Sequence, residues 1–147
     1  MSEYIPNPMK WVADQVELYE SSGGTDGLTL RNTDYPVVIV TNRGWKTGSI
    51  RKTPLMRVVD GDNYILVASN GGAPQNPLWV HNLRAHPSVT IQDQTEVYQM
   101  RVREVAESTE RNRLWEIALE AFPRYQQYQD NTDRLIPVFV VERTETE

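Results

Sequence analysis

Short apolar and β-branched runs, separated by turn signals, constrain the fold of this chain most strongly. Each run is long enough for one strand, and the run at 36–41 is typical of a buried strand. The pair Asp60-Gly61 precedes the run at 64–68, and such a pair is a strong signal for a tight hairpin. We predict strands at 36–41, 51–59, 64–68, 89–92, 95–105 and 136–141.

Segments with helical periodicity lie before and between these strands. In the first segment, Met9, Val12, Val16 and Tyr19 recur at the spacing of one helical face, and a glycine pair follows. Further helices are expected at 78–85, opened by Pro77, then between a cap at Ser108 or Thr109 and Pro123, and at 124–132. Antiparallel strands with helices between them predict an α+β chain, mainly β, with a barrel-like sheet flanked by helices.

The length and composition of the chain are those of one ordinary domain. A chain of 147 residues, 39% of them hydrophobic, can bury one core. We therefore predict a single domain at 1–147, in which 1–24 form the amphipathic helix and its linker. No cysteine is present, which excludes disulfides, thiolate metal sites and thiol nucleophiles. Redox chemistry in this chain therefore requires a bound cofactor.

The N-terminal sequence contains no signal for export. Residues 1–8 lack a basic start and an apolar stretch, and no apolar run approaches the roughly 20 residues that cross a bilayer. We therefore expect a cytoplasmic protein. Peripheral contact of the N-terminal helix with the inner face of the membrane is the alternative, although the polar face of this helix is acidic rather than basic.

Charge is distributed unevenly along the sequence. The net charge of −5 argues against a nucleic-acid binder, because a phosphate backbone requires a broad basic surface. Between Asp34 and Asp60, however, there is no acidic residue. This basic segment carries Arg43, Lys46, Arg51, Lys52 and Arg57. It is either a solvated hairpin with a chance bias in charge or a site for an anion.

Three long motifs carry a resemblance to a known family. They are TNRGWKTGSIRKTPL at 41–55, ASNGGAPQNPLWVHNLRAHP at 68–87 and FPRYQQYQDNTDRLIP at 122–137. In this order the sequence resembles the deazaflavin-dependent nitroreductases, from about residue 35 to residue 142. The resemblance implies a split β-barrel related to FMN-binding oxidoreductases. It also implies the cofactor F-420, a deazaflavin with a phosphate and an oligoglutamate tail.

The same resemblance assigns a cofactor site residue by residue. Lys46 and Arg51 would bind the phosphate, with Arg43 and Lys52 near the glutamates. The backbone of 53–56 would line the cofactor. The full set of expected cofactor contacts is Trp45, Lys46, Thr47, Arg51, Lys52, Thr53, Pro54, Leu55, Met56, Val67, Ala68, Ser69, Asn70, Leu78, Trp79, Val80, His81 and Asn82.

Four residues of this set and its neighbourhood have more specific expected roles. Gly44 and Gly48 would let the backbone approach an anion closely. Trp79 is expected against the ring system, although a lone tryptophan on a helix is more often part of a core. Asn82 is expected to hydrogen-bond a ring carbonyl or the phosphate region.

Hydroxyl groups near the inferred pocket are candidates for catalysis. We expect Ser69, Tyr125 and Tyr128 to stabilise the anion that forms when an electron-poor acceptor receives hydride. Roles in packing and turns are the alternative for these hydroxyls. Family members that activate nitroimidazoles carry three tyrosines at this spacing, whereas position 122 here is Phe122. This departure puts nitroimidazole activation in doubt and leaves the cofactor assignment as it is.

Two pairs of residues look like reactive sites but are assigned no chemistry. His81 and His86 are five positions apart, which does not place both on one helical face, and no third ligand lies nearby in the sequence. We therefore predict no metal site. Asp133 and Arg134 are expected to form an ion pair at the end of a helix.

Three functions remain open at this point. The first is a reductase that passes hydride from reduced F-420 to a quinone, an activated alkene or a nitro compound. The second is a split-barrel oxidoreductase that uses a flavin nucleotide. The third is a non-catalytic F-420-binding protein. Nicotinamide donors are not expected, because no Gly-x-Gly-x-x-Gly fingerprint follows a strand. The sequence leaves the oligomeric state open.

Overall fold

The computed structural model of the chain describes residues 3–144, in which seven strands form one sheet and four α-helices lie against it. The strands are β1 (Val37–Arg43), β2 (Ile50–Met56), β3 (Val59–Asp60), β4 (Asn63–Val67), β5 (Ser88–Asp93), β6 (Glu96–Glu104) and β7 (Val138–Arg143). The helices are α1 (Lys10–Ser21), α2 (Leu78–Ala85), α3 (Ser108–Ala121) and α4 (Arg124–Asp130), and a 3-10 turn covers Asn70–Gly72. Residues 1–2 and 145–147 of the predicted domain lie outside the described residues.

The sheet is antiparallel and curls into a half-barrel. Its strand order is β2-β1-β5-β6-β7-β4-β3. This architecture confirms the predicted α+β class, with a split, barrel-like sheet and flanking helices. β2 lies at one edge of the sheet, and within residues 3–144 its stretch 51–56 pairs with β1 on one side only. Within the described residues, the backbone groups on the other side of 51–56 therefore have no strand partner.

The strands bury residues on both faces of the sheet. On one face, Phe139 of β7 packs against Trp79 of α2, with 5.8 Å between the ring centres. On the other face, Val140 belongs to the cluster that contains Leu114 and Trp115 of α3. Neighbouring residues of a strand point to opposite faces. This geometry explains why β7 is apolar over four successive residues.

Helix α1 packs on β1 through its predicted apolar face. Val16 and Tyr19 are buried with Val37 and Ile39. The Tyr19 hydroxyl donates to the carbonyl of Val37 over 3.2 Å and accepts from the backbone N–H of Gln94 over 2.7 Å. None of the helices in residues 3–144 is both long and apolar enough to span a bilayer.

The predicted strand at 51–59 is wrong in its extent. β2 ends at Met56 because its partner on β1, Val37, is the first residue of that strand, so the ladder has no further partner. Val58 is instead buried against the α3 cluster, and the short β3 begins at Val59.

Two predictions at helix starts are also wrong. The carboxylate of Glu107 caps α3 by accepting from the backbone N–H groups of Thr109 over 2.6 Å and Glu110 over 3.0 Å, and neither Ser108 nor Thr109 acts as the cap. A glutamate reaches these groups although the short polar side chains are the commoner caps. Met9 is 59% exposed, because it precedes α1 rather than lying on its buried face.

Candidate active site

A cleft of about 300 Å³ opens beside β2, the end of β4, α2 and α4. It is lined by Leu30, Val37, Pro54, Leu55, Met56, Val67, Ser69, Asn70, Gly71, Pro77, Trp79, Phe122, Tyr125 and Tyr128. All three motifs contribute to this lining. The fold therefore brings part of the predicted cofactor set together with all three predicted catalytic residues, Ser69, Tyr125 and Tyr128.

Part of the lining comes from residues 69–77 of the connection between β4 and α2, which we call the glycine loop. Gly71 and Pro77 of this loop line the cleft and are absent from the predicted set, although the second motif contains both. Leu30 and Val37 also line it. In the sequence these two residues carry no signal that separates them from ordinary core positions.

An aromatic cluster forms the part of the cleft nearest to α4. The ring of Phe122 lies at its centre, 4.9 Å from Tyr35, 4.9 Å from Tyr125 and 6.1 Å from Tyr128, measured between ring centres. The first two contacts are edge-to-face, a favourable arrangement for aromatic rings. The predicted face of 122, 125 and 128 thus serves both as packing and as a cleft wall.

Tyr125 is the most enclosed hydroxyl-bearing residue of the cleft. Its side chain is buried, and burial raises the pKa of its phenol well above the usual value, with a smaller rise from neighbouring Tyr128. Its hydroxyl has no hydrogen-bond partner among residues 3–144. The group therefore stays protonated at neutral pH, with its donor unused.

Trp79 is part of the core and also lines the cleft, and its expected contact with the cofactor ring stays a prediction. Its side chain is buried against Phe139. Leu78, its neighbour on α2, is 77% exposed. The rigid core position of Trp79 makes its ring a fixed surface for a ligand.

The loop between β1 and β2 is tightly closed. The backbone N–H of Gly44 donates to the carbonyl of Ser49 over 2.7 Å, and the N–H of Gly48 donates back to the carbonyl of Gly44 over 2.8 Å. Gly48 has a φ of 74°, in the left-handed region that favours glycine. Thr47 donates its hydroxyl to that of Ser49 over 3.0 Å. The loop is thus a compact turn on which Trp45, Lys46 and Thr47 are exposed.

Asn82 connects this loop to α2. Its side-chain oxygen accepts from the backbone N–H of Trp45 over 3.0 Å, and its nitrogen donates to the side-chain oxygen of Asn42 over 2.9 Å. The rings of His81 and Trp45 also lie 5.6 Å apart. Asn82 therefore positions the loop, and its expected bond to the cofactor stays a prediction.

The cations of the basic segment are not equivalent. Lys52 pairs with Glu20 of α1 over 2.7 Å, and Arg57 pairs with Asp93 over 2.9 Å. Lys46 lies over the ring of Trp45 at 5.0 Å from its centre. Among residues 3–144, neither Lys46 nor Arg51 has a carboxylate partner. These two residues, which were expected at the phosphate, are thus the better placed to bind an anion.

The remaining predicted cofactor contacts lie outside the cleft lining. They are Trp45, Lys46, Thr47, Arg51, Lys52, Thr53, Ala68, Leu78, Val80, His81 and Asn82. Ala68 and Val80 are fully buried in the core. Their side chains contact protein, so only their backbone can face a ligand.

The predicted ion pair of Asp133 with Arg134 is wrong. The guanidinium of Arg134 donates instead to the backbone carbonyls of Ala68, Ser69 and Ala73 and to the side chain of Asn76. These acceptors lie more than 50 positions earlier in the chain, so the sequence around Arg134 does not indicate them.

A family model described as F420H(2)-dependent quinone reductase matches residues 11–143. The chain belongs to this family. The match extends from α1 to β7, and it confirms the resemblance that the three motifs carry. The family description also names reduced F-420, the cofactor that the resemblance implies.

Relatives of known sequence and structure agree with this membership. An F420H(2)-dependent quinone reductase from Mycobacterium tuberculosis is 36% identical over 128 residues, which cover 86% of this chain and 85% of that protein. The structure of an F420-H2 dependent reductase, FDR-A, is 45% identical, with a TM-score of 0.69 over 77% of this chain and 99% of that chain. A structure described as a domain-swapped dimer is 44% identical, with a TM-score of 0.71 over 92% of this chain and 100% of that chain.

Proposed function

We propose that this chain transfers hydride from reduced F-420 to a quinone in the cleft. The observation that carries the proposal is that residues of all three motifs line one cleft, together with the edge strand β2 and the aromatic residues of α4. Membership in the F420H(2)-dependent quinone reductase family supports both the donor and the acceptor class. Activated alkenes and nitro compounds are further acceptors for the same chemistry.

The residues present fit a deazaflavin with an anionic tail. The cleft is lined mainly by apolar and aromatic side chains, and its volume lies within the range of small-molecule sites. Arg51 precedes Leu55 by four residues on β2, which is about 13 Å along an extended strand. Arg51 thus lies apart from the apolar part of the cleft. This separation suits F-420, which has a flat ring at one end and anions at the other.

The chain would hold the cofactor along β2 and the glycine loop. We propose that the backbone of 53–56 and of 67–70 contacts the ring, and that Lys46 and Arg51 bind the phosphate through charge-assisted hydrogen bonds. When bound, reduced F-420 supplies a hydride, because it is a two-electron carrier. The residues of the chain orient the acceptor and exclude water from it.

The hydroxyls of the cleft are proposed to stabilise charge on the acceptor. A quinone oxygen becomes negative as hydride arrives, and a fixed donor in a dry site stabilises such a charge strongly. Tyr125 offers an unused donor whose pKa is raised by burial. Ser69 and Tyr128 line the same cleft. Phe122 occupies the centre of the aromatic cluster without a hydroxyl, which supports quinones over nitroimidazoles as acceptors.

Binding of oxidised F-420 tests the proposal at its first step. Titration followed by the absorbance of the deazaflavin should saturate, while FMN under the same conditions should bind far more weakly. Met56→Trp places a large ring in the cleft and should weaken F-420 binding. Val97→Trp adds the same ring at an exposed position on β6 and should leave F-420 binding unchanged. Tight FMN binding, or equal F-420 affinity of the two variants, would contradict the assignment.

We also propose that the protein is cytoplasmic and that its N-terminal part contacts a lipid surface. Its exposed apolar side chains are Tyr4, Ile5, Met9, Trp11 and Leu18. Aromatic and aliphatic side chains of this kind enter the headgroup boundary of a bilayer. Because Asp14 and Glu17 make the exposed side of α1 acidic, neutral vesicles are the better partner.

Sedimentation with neutral phosphatidylcholine vesicles tests this contact. Wild-type protein should bind, Trp11→Glu should reduce binding, and Val97→Glu on β6 should leave it unchanged. A domain-swapped dimer is known for the 44% identical structure. The contrary outcome is that the protein does not bind vesicles, and that light scattering gives twice the mass of one chain for wild type but a single mass for Trp11→Glu. That result would assign the surface to a second copy of the chain and overturn the lipid proposal.

A further inference from the structure

Arg134 is hydrogen-bonded to the glycine loop through all three nitrogens of its guanidinium. Nε donates to the carbonyl of Ala73 over 3.0 Å, and Nη2 donates to the carbonyl of Ser69 over 2.8 Å. Nη1 donates to the carbonyl of Ala68 over 3.2 Å and to the side-chain oxygen of Asn76 over 2.8 Å. Ser69 lines the cleft, whereas Arg134 itself does not.

The backbone of the glycine loop is unusual, and Arg134 contacts it at several points. Asn70, Gly71 and Gly72 have φ angles of 48°, 64° and 81°, so three successive residues lie in the left-handed region. Asn70 is the one of the three that carries a Cβ atom, and asparagine enters this region less freely than glycine but more readily than other residues. Within residues 3–144, every hydrogen bond that reaches 69–76 from another part of the chain comes from Arg134.

The backbone of Arg134 is in turn fixed by α4. The Gln129 side chain donates through Nε2 to the carbonyl of Arg134 over 2.8 Å and accepts through Oε1 from the N–H of Ile136 over 3.0 Å. Helix α4 also touches the loop directly, since a Cβ atom on Gly72 would lie 3.0 Å from the carbonyl oxygen of Tyr128. Arg134 therefore joins the helix that carries Tyr128 to the loop that carries Ser69.

We propose that Arg134 is a positioning residue that fixes Ser69 relative to Tyr128 and so determines which acceptors fit the cleft. The inference rests on the proposed function for its acceptor class. The guanidinium suits this task because its donors form a planar fork of fixed geometry. A lysine carries one flexible ammonium group and cannot serve the same set of carbonyls in that arrangement.

Three variants separate positioning from general stability. Arg134→Lys keeps the charge without the fork, and Arg134→Met keeps neither. Arg111→Met is the matched control, because Arg111 is also partly buried and donates to a backbone carbonyl, that of Ile136, over 2.6 Å. Arg111 makes no bond to the glycine loop and does not line the cleft.

Amide hydrogen exchange on the protein without ligand tests the contact itself. The N–H groups of Gly72 and Ala73 are bonded inside the loop, to the carbonyls of Ser69 and Asn70. Their protection should fall about tenfold or more in both Arg134 variants and stay unchanged in Arg111→Met. Unchanged protection in the Arg134 variants would overturn the proposal without reference to any activity.

Acceptor choice tests the functional half of the proposal. The ratio of kcat/KM for a bulky quinone to that for a small quinone should shift about tenfold in Arg134→Met, since a displacement of about 1 Å in a positioning group can change a rate by up to about 100-fold. Arg134→Lys should recover little of the wild-type ratio, and Arg111→Met should retain it. If amide protection falls in the Arg134 variants but the ratio of kcat/KM values is unchanged, Arg134 has only a structural role and the proposal is overturned. If wild-type protein reduces no quinone at all, the proposed function fails, whereas the exchange data still decide whether Arg134 holds the loop.

Discussion

The side-chain nitrogen of Asn82 on α2 donates to the side-chain oxygen of Asn42 on β1 over 2.9 Å, and both side chains are buried. The oxygen of the same Asn82 amide accepts from the backbone of Trp45. One amide thus fixes the start of the β1–β2 loop, which carries Lys46, against the helix that carries Trp79.

Asn82→Ala is expected to lower both stability and cofactor affinity. It leaves the buried oxygen of Asn42 and the N–H of Trp45 without this partner, which costs about 1–3 kcal/mol in the free energy of unfolding. F-420 affinity should fall as well, because the loop loses its attachment. Chemical denaturation and F-420 titration measure the two effects. Thr90→Ala, which removes an exposed bond to Gln99, is the control and should change neither.

Lys46 and Arg51 are expected to bind the cofactor through charge. The double substitution to alanine should weaken F-420 binding by several kcal/mol, since each hydrogen bond to a charged group contributes about 1.5–3 kcal/mol. The remaining binding should depend less on salt. The double variant Lys10→Ala/Arg101→Ala removes two exposed cations elsewhere and should retain wild-type affinity. Unchanged affinity after loss of Lys46 and Arg51 would remove them from the site.

Glu20 is expected to compete with the glutamate tail for Lys52. The two side chains are 2.7 Å apart and partly exposed, so their pairing is worth at most about 1 kcal/mol. Glu20→Gln should therefore raise the affinity for F-420 by up to about fivefold. It should leave the affinity for a deazaflavin without phosphate and glutamates unchanged. A parallel change for both ligands would show that Lys52 does not bind the tail.

Loss of the Tyr125 or Tyr128 hydroxyl is expected to lower turnover more than it lowers stability. If a hydroxyl stabilises the developing anion, its removal in Tyr125→Phe or Tyr128→Phe should raise the activation free energy reported by kcat/KM by roughly 2.7–4 kcal/mol. Phe122→Tyr should change the relative rates with different acceptors, including nitroimidazoles, at nearly constant F-420 affinity. The rival expectation from pure packing is a fall in Tm with acceptor preference untouched. Melting curves and acceptor panels for the three variants distinguish the two.

Buried tyrosines are expected to limit stability at alkaline pH. The pKa of Tyr64 is raised above its ordinary value of 10.0, first by burial and then by its hydrogen bond to the carboxylate of Asp93. The unfolded chain then loses this proton at lower pH than the folded chain. The stabilisation that protonated Tyr64 contributes to the free energy of unfolding is therefore complete below pH 10 and is lost above it. The free energy of unfolding should therefore fall more steeply above pH 10 in wild-type protein than in Tyr64→Phe. Tyr98→Phe, at a half-buried site on the same sheet, is the control, and parallel curves for wild type and Tyr64→Phe would contradict the assignment.

The strands, and several residues that line the cleft, were predictable where the information is local. The apolar run of β7 and the Asp60-Gly61 turn identify their strands by composition alone. The motif at 122–137 indicates Tyr125 and Tyr128 through its resemblance to a family, before any cleft is known. The end of β2 at Met56 was not predictable in this way, because it depends on where its partner strand begins.

The roles that could not be predicted depend on contacts between distant parts of the chain. Lys52 looks like any cation of the basic segment until α1 places Glu20 beside it, 32 positions earlier. The sequence predicts Arg134 as one half of a local ion pair, whereas the fold brings Ser69 to it from 65 positions away. In both cases the partner is selected by the curl of the sheet and the packing of a helix, which local sequence does not encode.

Oxidation of reduced F-420 by a quinone under anaerobic conditions tests the proposed function most directly. The absorbance of oxidised F-420 should appear only when protein, reduced cofactor and quinone are all present, with one quinone reduced for each cofactor oxidised. NADH and NADPH should give little rate with the same acceptor. Saturable F-420 binding without quinone-dependent oxidation, or robust turnover with a nicotinamide alone, would contradict the assignment of this chain as an F-420-dependent quinone reductase.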